Sequence, residues 1–592
     1  MAHAPALTEN ARRVLEARYL ARSPDGALTE DWEGLCARVA RCVAAVEKEW
    51  GGDVARREEE FYGAMVRREF LPNSPTLMNA GTELGQLAAC FVLPVEDRLE
   101  SVFEALKQMA IIHQSGGGTG FSFSSLRPAG DVVQGTLGVA SGPVAFMAVF
   151  DAATAVVKQG GRRRGANMGV LRVDHPDVVE FIRAKAERGQ LSNFNVSLST
   201  PDSFWRAVEQ GTDFPLVNPR DGRVVRTLDA RWLLDEIARF AWGTGDPGVL
   251  FIDAVNRANP TPHLGPLEAT NPCGELPLLP NEACNLGSIN LGHMVRERDG
   301  RAELDREKLR ATVRTAVRFL DDVIEVGRFP VPQTEAITRA NRKIGLGVMG
   351  FADLLIRLGI SYDSDDAVRV ADDVMALIAD EARDASAMLA AERGVFPNWK
   401  GSVHEREGRP LRNATQTAIA PTGTISIIAG ASPSIEPLFA LAYRRSHVLE
   451  EETLHEINPL FLRAIEDLGL DNDTLVSAVI ETGSLRDAPG VPEELKRIFV
   501  TALEIPPDRH LDIQAAFQRH VDNSVSKTVN LPEHATPDDV ARIYRRAWEL
   551  GLKGITIYRY GSKGAQVLEI GRGERPAHYD HGAPCDPGET RV

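Results

Sequence analysis

The sequence contains few cysteines and no closely paired cysteine motif. There are six cysteines among 592 residues, and no two of them form a Cys-x-x-Cys. This number is too small for a disulfide scaffold, and the spacing does not support a zinc ribbon. In a reducing compartment, a disulfide between any two of these thiols would be transient or catalytic.

Basic residues are outnumbered by acidic residues. The chain has 67 Lys and Arg residues against 83 Asp and Glu residues, which gives a formal net charge of −16. Broad, sequence-independent nucleic-acid binding relies on a basic surface, so we expect no DNA binding. A negatively charged ligand would need a local site instead.

Long apolar runs are absent as well. No stretch is long enough to span a membrane, and the first twenty residues are a polar lead into an amphipathic helix rather than a signal peptide. We therefore expect no membrane association and a cytoplasmic location.

The composition is that of a soluble globular protein with an ample core, since 43% of the residues are hydrophobic and 25% are charged. The length predicts either several domains or one large closed architecture. Apolar spacing predicts helices over residues 8–70, which would place Cys36 and Cys42 in a helical core. It also predicts a long helix from Ala367 to Arg393.

The middle of the chain alternates two kinds of pattern. Short β-branched runs occur at Asp131–Ala140 and Asn193–Ser199, whereas Asp246–Ala258 has a helical pattern. This alternation indicates an α/β body. Residues 563–592 are rich in Gly, Pro and charge, which is typical of a mobile tail.

The most informative motif is Asn-Pro-Cys-Gly-Glu at Asn271–Glu275. It places the thiol of Cys273 between an amide and a carboxylate, with Cys284 eleven residues later and Cys90 more than 180 residues earlier. Three prolines and a glycine break any helix here, and so apolar a loop is expected to be inserted into the protein. A cysteine among apolar residues is usually inert core, so the motif alone does not establish catalysis.

Three further segments have two interpretations each. The glycines of Ser115–Gly120 would let the backbone approach either a ligand or another strand. Ala420–Ser426 has the small residues and hydroxyls of an anion site at a helix N-terminus, or of an ordinary capped turn. The basic cluster Lys158–Gly165 could meet phosphates or form a solvated, salt-bridged loop.

Taken in order, these segments resemble the catalytic subunit of ribonucleotide reductase, and specifically the adenosylcobalamin-dependent class II enzymes. The resemblance covers nearly the whole chain. It rests on the segments LTENARRVLEARYL, FLPNSPTLMNAG, QLAACFVLP, QSGGGTGFSFSSLRP, NPCGELPLLPNEACNLGSINL, APTGTISIIAG and GITIYRYGS. Several motifs in one order are far more specific than any single motif.

The resemblance implies a fold and a domain division. The fold is a ten-stranded α/β barrel of two antiparallel halves, with Cys273 on a finger loop at its centre. An N-terminal helical region of residues 1–72 would precede the barrel of residues 73–562, and a flexible tail of residues 563–592 would follow.

The same resemblance implies a chemistry for the motif. Cys273 would become a thiyl radical that abstracts the ribose 3′ hydrogen, Glu275 would act as general base on the 3′-hydroxyl, and Asn271 would hold the ribose. Cys90 and Cys284 would supply the electrons that replace the 2′-hydroxyl and would end as a disulfide. Thiols suit this role because an external dithiol can reduce the disulfide again.

Binding residues and partners follow from the resemblance too. The implied substrate contacts, the last five of them around the phosphates, are Ser74, Thr76, Ala89, Gly118, Thr422, Gly423, Thr424, Ile425 and Ser426. Asp97 and Arg127 resemble positions of a site for a deoxynucleoside triphosphate effector, and the segment before Asn193–Ser197 resembles the one that transmits the effector's choice of base. The implied partners are a ribonucleotide substrate, preferably a diphosphate, a thioredoxin-like reductant and a second copy in a homodimer.

Adenosylcobalamin is the implied cofactor, and no metal site is expected. An enzyme that receives its radical from a diiron subunit would carry two adjacent tyrosines where Arg559 separates Tyr558 from Tyr560. A glycyl-radical relative would need an Arg-Val-x-Gly-Tyr-like C-terminal segment, which is absent from the sequence. Two alternatives stay open: a large subunit that needs a separate metal radical subunit, and a catalytically silent nucleotide-binding regulator.

Two departures from the family pattern are visible. The family's helical region starts within the first ten residues, so we expect no ATP-binding cone ahead of it. Family members usually end with a cysteine pair that passes electrons from thioredoxin, whereas the tail of this chain has only Cys585. Direct reduction by a dithiol, a contribution from a partner chain and impaired turnover remain alternatives.

Overall fold

Helices form the N-terminal part of the protein, as the apolar spacing predicts. This computed structural model describes residues 6–133, 138–159, 163–187, 189–449, 452–470, 473–562 and 568–570. The first helices are α1 (Glu9–Val14), α2 (Trp32–Ala44) and α3 (Val54–Val66). The side chains of Asp31 and Asp53 cap α2 and α3 by accepting backbone hydrogen bonds.

Ten strands follow along the chain and belong to one sheet. They are β1 (Phe70–Pro72), β2 (Cys90–Leu93), β3 (Gly118–Ser122), β4 (Asn167–Arg172), β5 (Phe194–Thr200), β6 (Gly248–Phe251), β7 (Glu282–Asn290), β8 (Ile344–Met349), β9 (Thr528–Leu531) and β10 (Gly554–Arg559).

The sheet has two parallel halves that run in opposite directions. In one half, β2 to β6 pair in chain order. In the other half, β7 pairs with β8 and β9 pairs with β10, while residues 417–419 bridge Leu346 of β8 and Val525 just before β9. The halves meet in antiparallel pairings, β2 with β7 and β6 with β10, and β1 adds to β7. The predicted ten-stranded α/β barrel of two antiparallel halves is confirmed.

Helices connect the strands and cover the barrel. They are α4 (Ser74–Asn79), α5 (Leu99–Gln114), α6 (Pro143–Val156), α7 (Val178–Arg183), α8 (Asp202–Gln210), α9 (Ala230–Thr244), α10 (Ile252–Arg257), α11 (Arg306–Val326), α12 (Pro332–Asn341), α13 (Phe351–Arg357), α14 (Asp365–Arg393), α15 (Val403–Arg406), α16 (Gly423–Ala429), α17 (Pro459–Asp467), α18 (Asp473–Thr482), α19 (Glu493–Ile498), α20 (Pro507–Gln518) and α21 (Pro537–Glu549). The predicted long helix is α14.

One sequence prediction about local structure is wrong. The segment Asp246–Ala258 is not a single helical element, because its first part forms β6 and only its second part forms α10. All four residues of β6 are buried between β5 and β10. A short, continuously apolar strand cannot be distinguished from a buried helix by periodicity, which explains the error.

Two other predictions concern the surface and the tail. Within the part of the chain that the structure describes, no helix has both the length and the apolar character needed to cross a membrane. Cys585 and most of the predicted tail lie outside the described residues.

Candidate active site

A short hairpin crosses the interior of the barrel between α10 and β7. Ala269–Thr270 pairs antiparallel with Pro277–Leu278, and the turn between them carries Cys273. We call residues 269–278 the finger hairpin. Its apolar side chains pack in a buried cluster with side chains from β2, β4, β6 and β7. The apolar character of the loop predicts that it is inserted into the protein, and the structure confirms this.

Two glycines of β3 leave room for the finger hairpin. A Cβ atom on Gly120 would lie 1.7 Å from the backbone oxygen of Thr270, and one on Gly118 would lie 2.9 Å from Cγ of Pro272. Packing against the hairpin therefore accounts for these two glycines of the segment Ser115–Gly120. Gly118, which the resemblance places among the substrate contacts, has its missing side chain directed at Pro272.

We expect Gly120→Ala to destabilise the protein by about 1–3 kcal/mol, because the backbone oxygen of Thr270 can yield only if the hairpin moves. Gly118→Ala should cost less, since its Cβ meets the edge of a proline ring. Gly243→Ala in α9 is the matched control, because no atom of another described element lies within 4 Å of its Cβ position. Urea unfolding measures the three variants, and equal stabilities would contradict the packing role.

Cys273 is half-buried and lines two cavities. The Cys90 cavity includes Cys90, Glu275 and residues 422–425 in its lining. The Lys527 cavity includes Lys527 and residues 195–197 and 554–557. Cys273 therefore lies at the boundary between the two cavities.

The other two cysteines of the predicted set face each other. Cys90 of β2 and Cys284 of β7 are register partners across the antiparallel junction of the two barrel halves, and both are buried. The amide of Asn271 donates a hydrogen bond of 3.1 Å to Sγ of Cys90. Burial raises the pKa of the Cys284 thiol, and the nearby carboxylate of Glu282 raises it further. Both features keep Cys284 protonated at neutral pH.

Glu275 is a buried carboxyl group beside the thiol. It is 1% exposed and lines the Cys90 cavity. Burial raises its pKa from 4.5 to about 7, although a hydrogen bond from the Asn271 side chain opposes the rise. Among the residues that the structure describes, its Oε2 atom has no hydrogen-bond partner. A carboxyl group poised near neutral pH with an open oxygen can accept a proton from a ligand.

The predicted substrate contacts divide into two groups. Ser74, Ala89 and residues 422–425 line the Cys90 cavity together with Cys273 and Glu275. Thr76 does not belong to this lining, and its hydroxyl is bonded to Asn73 and to the Leu87 carbonyl.

Ser426 is also outside that lining. Its hydroxyl donates to the carbonyl of Gly423 within α16. Thr422, just before this helix, adopts a left-handed backbone with φ of 58°, and its hydroxyl accepts from the N–H of Ser434. The turn at Thr422 thus directs residues 422–425 toward the cavity.

Two cavity residues carried no signal in the sequence. Asn195 lies in a strand pattern, and Lys527 follows Ser526 in an ordinary mixed segment. Lys527 is buried and donates to Glu436 and to the backbone oxygen of Thr528. Neither residue belongs to a motif, so only the folded structure identifies them.

Asp97 and Arg127, the predicted effector residues, form an ion pair outside the barrel interior. Nε of Arg127 lies 2.9 Å from Oδ2 of Asp97, and the backbone N–H of Arg127 donates to the same carboxylate. The basic cluster Lys158–Gly165 can be placed only in part, because residues 160–162 lie outside the described ranges.

Family models match almost the entire chain. The ribonucleotide reductase all-alpha domain matches residues 6–85, and the ribonucleotide reductase barrel domain matches residues 88–409 and 403–558. This chain belongs to the ribonucleotide reductase family. The matched residues of this reductase include both the N-terminal helices and the barrel that holds the finger hairpin.

Individual relatives agree with this assignment. This reductase is 49% identical to a vitamin B12-dependent ribonucleoside-diphosphate reductase of Thermoplasma acidophilum, over 96% of this chain and 81% of the relative. It is 52% identical to a protein of the same description from Mycobacterium tuberculosis, over 94% of this chain and 80% of that protein. The resemblance to class II catalytic chains is thereby confirmed.

The fold has a solved counterpart. The class Id ribonucleotide reductase alpha subunit of Actinobacillus ureae superposes with a TM-score of 0.77, covering 94% of this chain and 97% of that one. The two sequences are 23% identical, so this likeness supports the fold alone.

Proposed function

We propose that this reductase converts ribonucleoside diphosphates to 2′-deoxyribonucleoside diphosphates by radical chemistry at Cys273. The observation that carries the proposal is that Cys273 lines both the Cys90 cavity and the Lys527 cavity. The first cavity is lined by Cys90 and by the candidate base Glu275, with Cys284 as the register partner of Cys90, and the second would hold the radical source. The relatives from Thermoplasma and Mycobacterium are named as diphosphate reductases, which supports the choice of substrate.

The Lys527 cavity fits adenosylcobalamin as the radical source. A Cβ on Gly274 would meet no atom of the described residues within 4 Å, so the backbone beside Cys273 would leave room for a macrocycle. Gly248 and Gly554 also line the cavity, but a Cβ on either would meet neighbouring protein atoms, so only Gly274 supports this fit. The named relatives depend on vitamin B12, which agrees with this fit. When bound, the cofactor supplies the one-electron chemistry that takes the hydrogen atom of a thiol.

The residues of the Cys90 cavity then have distinct tasks. Ser74, Ala89 and residues 422–425 bind the nucleotide, with the turn at Thr422 nearest its phosphates. Asn271 does not line the cavity but bonds to Sγ of Cys90 at its edge, and it is assigned to the ribose from the family resemblance. Cys273 as a thiyl radical takes the 3′ hydrogen atom and later returns it. Glu275 accepts the 3′-hydroxyl proton because its Oε2 is open and its pKa is near neutrality.

Cys90 and Cys284 balance the reaction. Each gives one electron and one proton, the 2′-hydroxyl leaves as water, and the two sulfurs form a disulfide. Their positions as register partners support this pairing. We propose that a thioredoxin-like dithiol reduces the disulfide by exchange and returns the enzyme to its starting state.

An anaerobic product assay tests the function. The purified chain is incubated with each nucleotide and a dithiol, with and without adenosylcobalamin, and deoxynucleotides are quantified. We expect product from diphosphates only when the cofactor is present. Product that appears only with an added metal radical subunit would favour the large-subunit alternative, and nucleotide binding without product in either case would favour the silent regulator.

Regulation is proposed at the Asp97–Arg127 pair. Each of these side chains is about one-quarter exposed, so a ligand can reach them. The guanidinium group of Arg127 can then form an ion pair with a phosphate group of the ligand. We propose that a deoxynucleoside triphosphate binds here and that the segment before Asn193 transmits its identity to the active site.

We further propose that the reductase is a homodimer through α5 and α6. Both helices expose apolar side chains at helical spacing: Leu99 and Phe103 on α5, and Val149 and Val156 on α6. These side chains are 40–82% exposed. An apolar face of this kind on two neighbouring helices fits a second copy of the same face.

We expect Phe103→Glu to convert the dimer to a monomer, because it places a charge at the centre of the apolar face. Light scattering after size-exclusion chromatography measures the molar mass at micromolar concentration. Met388→Glu is the matched control, since Met388 of α14 is also 50% exposed but lies on a different helix. A Phe103→Glu protein with an unchanged molar mass would contradict this interface.

Three further assignments from the sequence are retained as proposals. The first is the division into residues 1–72, 73–562 and 563–592. The second is a cytoplasmic location, which suits a dithiol-dependent enzyme. The third is a tail whose Cys585 has no cysteine partner nearby in the sequence.

A further inference from the structure

Asn195 of β5 connects the barrel wall to the finger hairpin. Its side-chain Nδ2 donates a hydrogen bond of 2.9 Å to the backbone oxygen of Pro272. That oxygen belongs to the peptide group that joins Pro272 to Cys273. Asn195 is half-buried and lines the Lys527 cavity together with both of these residues. The bond therefore fixes the orientation of the peptide plane immediately before the thiol.

Other bonds determine the shape of the hairpin tip but not its attachment to β5. Gly274 donates to the carbonyl of Asn271, and the N–H of Leu276 donates to the Asn271 side chain. On the far side of the thiol, the N–H of Ser524 donates to the carbonyl of Glu275 at 2.8 Å. The tip is thus held to the wall on both sides of Cys273, by Asn195 before it and by Ser524 after it.

The strand that carries Asn195 is itself anchored beside the Lys527 cavity. Lys185 forms an ion pair of 2.8 Å with Asp246, which lines that cavity, and also donates to the carbonyl of Phe194. The other Oδ atom of Asp246 accepts from the N–H of Val196. A displacement of Lys185 or Phe194 would therefore reach Asn195, and through it the peptide of Cys273.

We propose that Asn195 is a positioning residue for the reaction, whose amide holds the Pro272–Cys273 peptide so that the thiol faces both cavities. The proposal rests on the proposed function in one respect, namely that Cys273 exchanges a hydrogen atom across the two cavities. Asn195 itself need not touch the nucleotide, because it lines the Lys527 cavity and not the Cys90 cavity.

The test compares Asn195→Asp and Asn195→Ala with the unaltered protein. Aspartate has the same shape but no donor, so it sets an acceptor against the carbonyl of Pro272. We expect both variants to lower kcat by about tenfold or more, because small displacements of a reacting group cost large factors in rate. The KM for the nucleotide should change by less than about twofold, since the Cys90 cavity is untouched.

A second readout does not depend on turnover. The alkylation rate of Cys273 by iodoacetamide, followed by peptide mass spectrometry in the protein without cofactor, should rise about threefold or more when the anchor is removed. Cys42, half-buried on α2, is the internal reference. Asn256→Asp is the matched control, because Asn256 also donates from a half-buried position to backbone carbonyls, those of Ile252 and Leu267.

The outcomes separate the two proposals. If the unaltered protein makes no deoxynucleotide, the proposed function fails, and the alkylation rates still decide whether Asn195 positions the thiol. Unchanged alkylation of Cys273 in both variants would overturn the positioning role. A parallel rise at Cys273 and Cys42, or the same effect in Asn256→Asp, would also overturn it, since general loosening of the fold would then be the cause.

Discussion

Replacing Cys273 with serine is expected to remove all deoxynucleotide formation and to leave the barrel folded. Cys273 is the one residue of the predicted set that lines both cavities, so no other predicted residue can take over the proposed transfer between them. A serine hydroxyl has a similar size and can still be accommodated at the tip. It does not form a radical under conditions in which a thiol does, so the effect falls on chemistry rather than on binding.

The measurement is product formation under the anaerobic assay conditions, together with nucleotide binding and urea unfolding of the same preparation. We expect no product above background, unchanged nucleotide affinity and an unchanged unfolding midpoint. Cys42→Ser is the matched control, because Cys42 is likewise half-buried but lies on α2 in the N-terminal helices. Full activity of Cys273→Ser would reject radical chemistry at this residue and favour a silent or differently acting site.

Local sequence patterns were sufficient for several elements of the fold. Apolar spacing predicts the helices α2 and α14, and prolines predict a non-helical segment around Cys273. These features depend on neighbours in sequence, and the structure confirms them. Periodicity does not reveal the strand β6, because its glycine and three apolar residues are all buried and show no alternation. The bridge formed by residues 417–419 is shorter still, and only its two partners reveal it as part of the barrel.

The site was predictable only where a residue belonged to a motif. The pairing of Cys90 with Cys284 depends on the register of β2 against β7, which residue spacing alone does not contain, so it came from the family resemblance. Thr76 and Ser426 lie within the right motifs, but their hydroxyls bond within their own turns and do not line the Cys90 cavity. Asn195 is part of an ordinary strand pattern, and the role proposed for it depends on a contact with a hairpin far along the chain.

Replacing Glu275 with glutamine is expected to have opposite effects on activity and on stability. In the proposed mechanism the carboxylate form accepts the 3′-hydroxyl proton, and glutamine cannot take that proton, so we expect kcat to fall by about 10²–10⁴-fold. For the unaltered enzyme, kcat should rise with pH through about 7, the value to which burial raises the pKa of Glu275. The glutamine variant should lose this rise, and a retained rise would assign it to another group.

The stability effect follows from the same pKa. Below pH 4.5 the carboxyl group is protonated in both the folded and the unfolded protein, so ionisation of Glu275 contributes no difference in stability. Between pH 4.5 and about 7 the unfolded chain releases the proton and the folded chain keeps it, so stability falls as pH rises. Above pH 7 the folded protein carries a buried charge at a cost of about 3 kcal/mol, estimated from the rise in pKa.

Glutamine has the same shape and no charge. The free energy of unfolding of Glu275→Gln should therefore exceed that of the unaltered protein by about 3 kcal/mol at pH 8, and by much less at pH 5. Urea unfolding at the two pH values measures the difference. Glu282→Gln is the contrasting variant, because Glu282 is equally buried but is paired with Lys343 and Asn341, and removing its charge leaves a buried lysine uncompensated. We expect that variant to be less stable at both pH values. The pair would then show that an unpaired carboxylate is retained beside Cys273 in spite of its cost to folding, which is the pattern expected of a catalytic base.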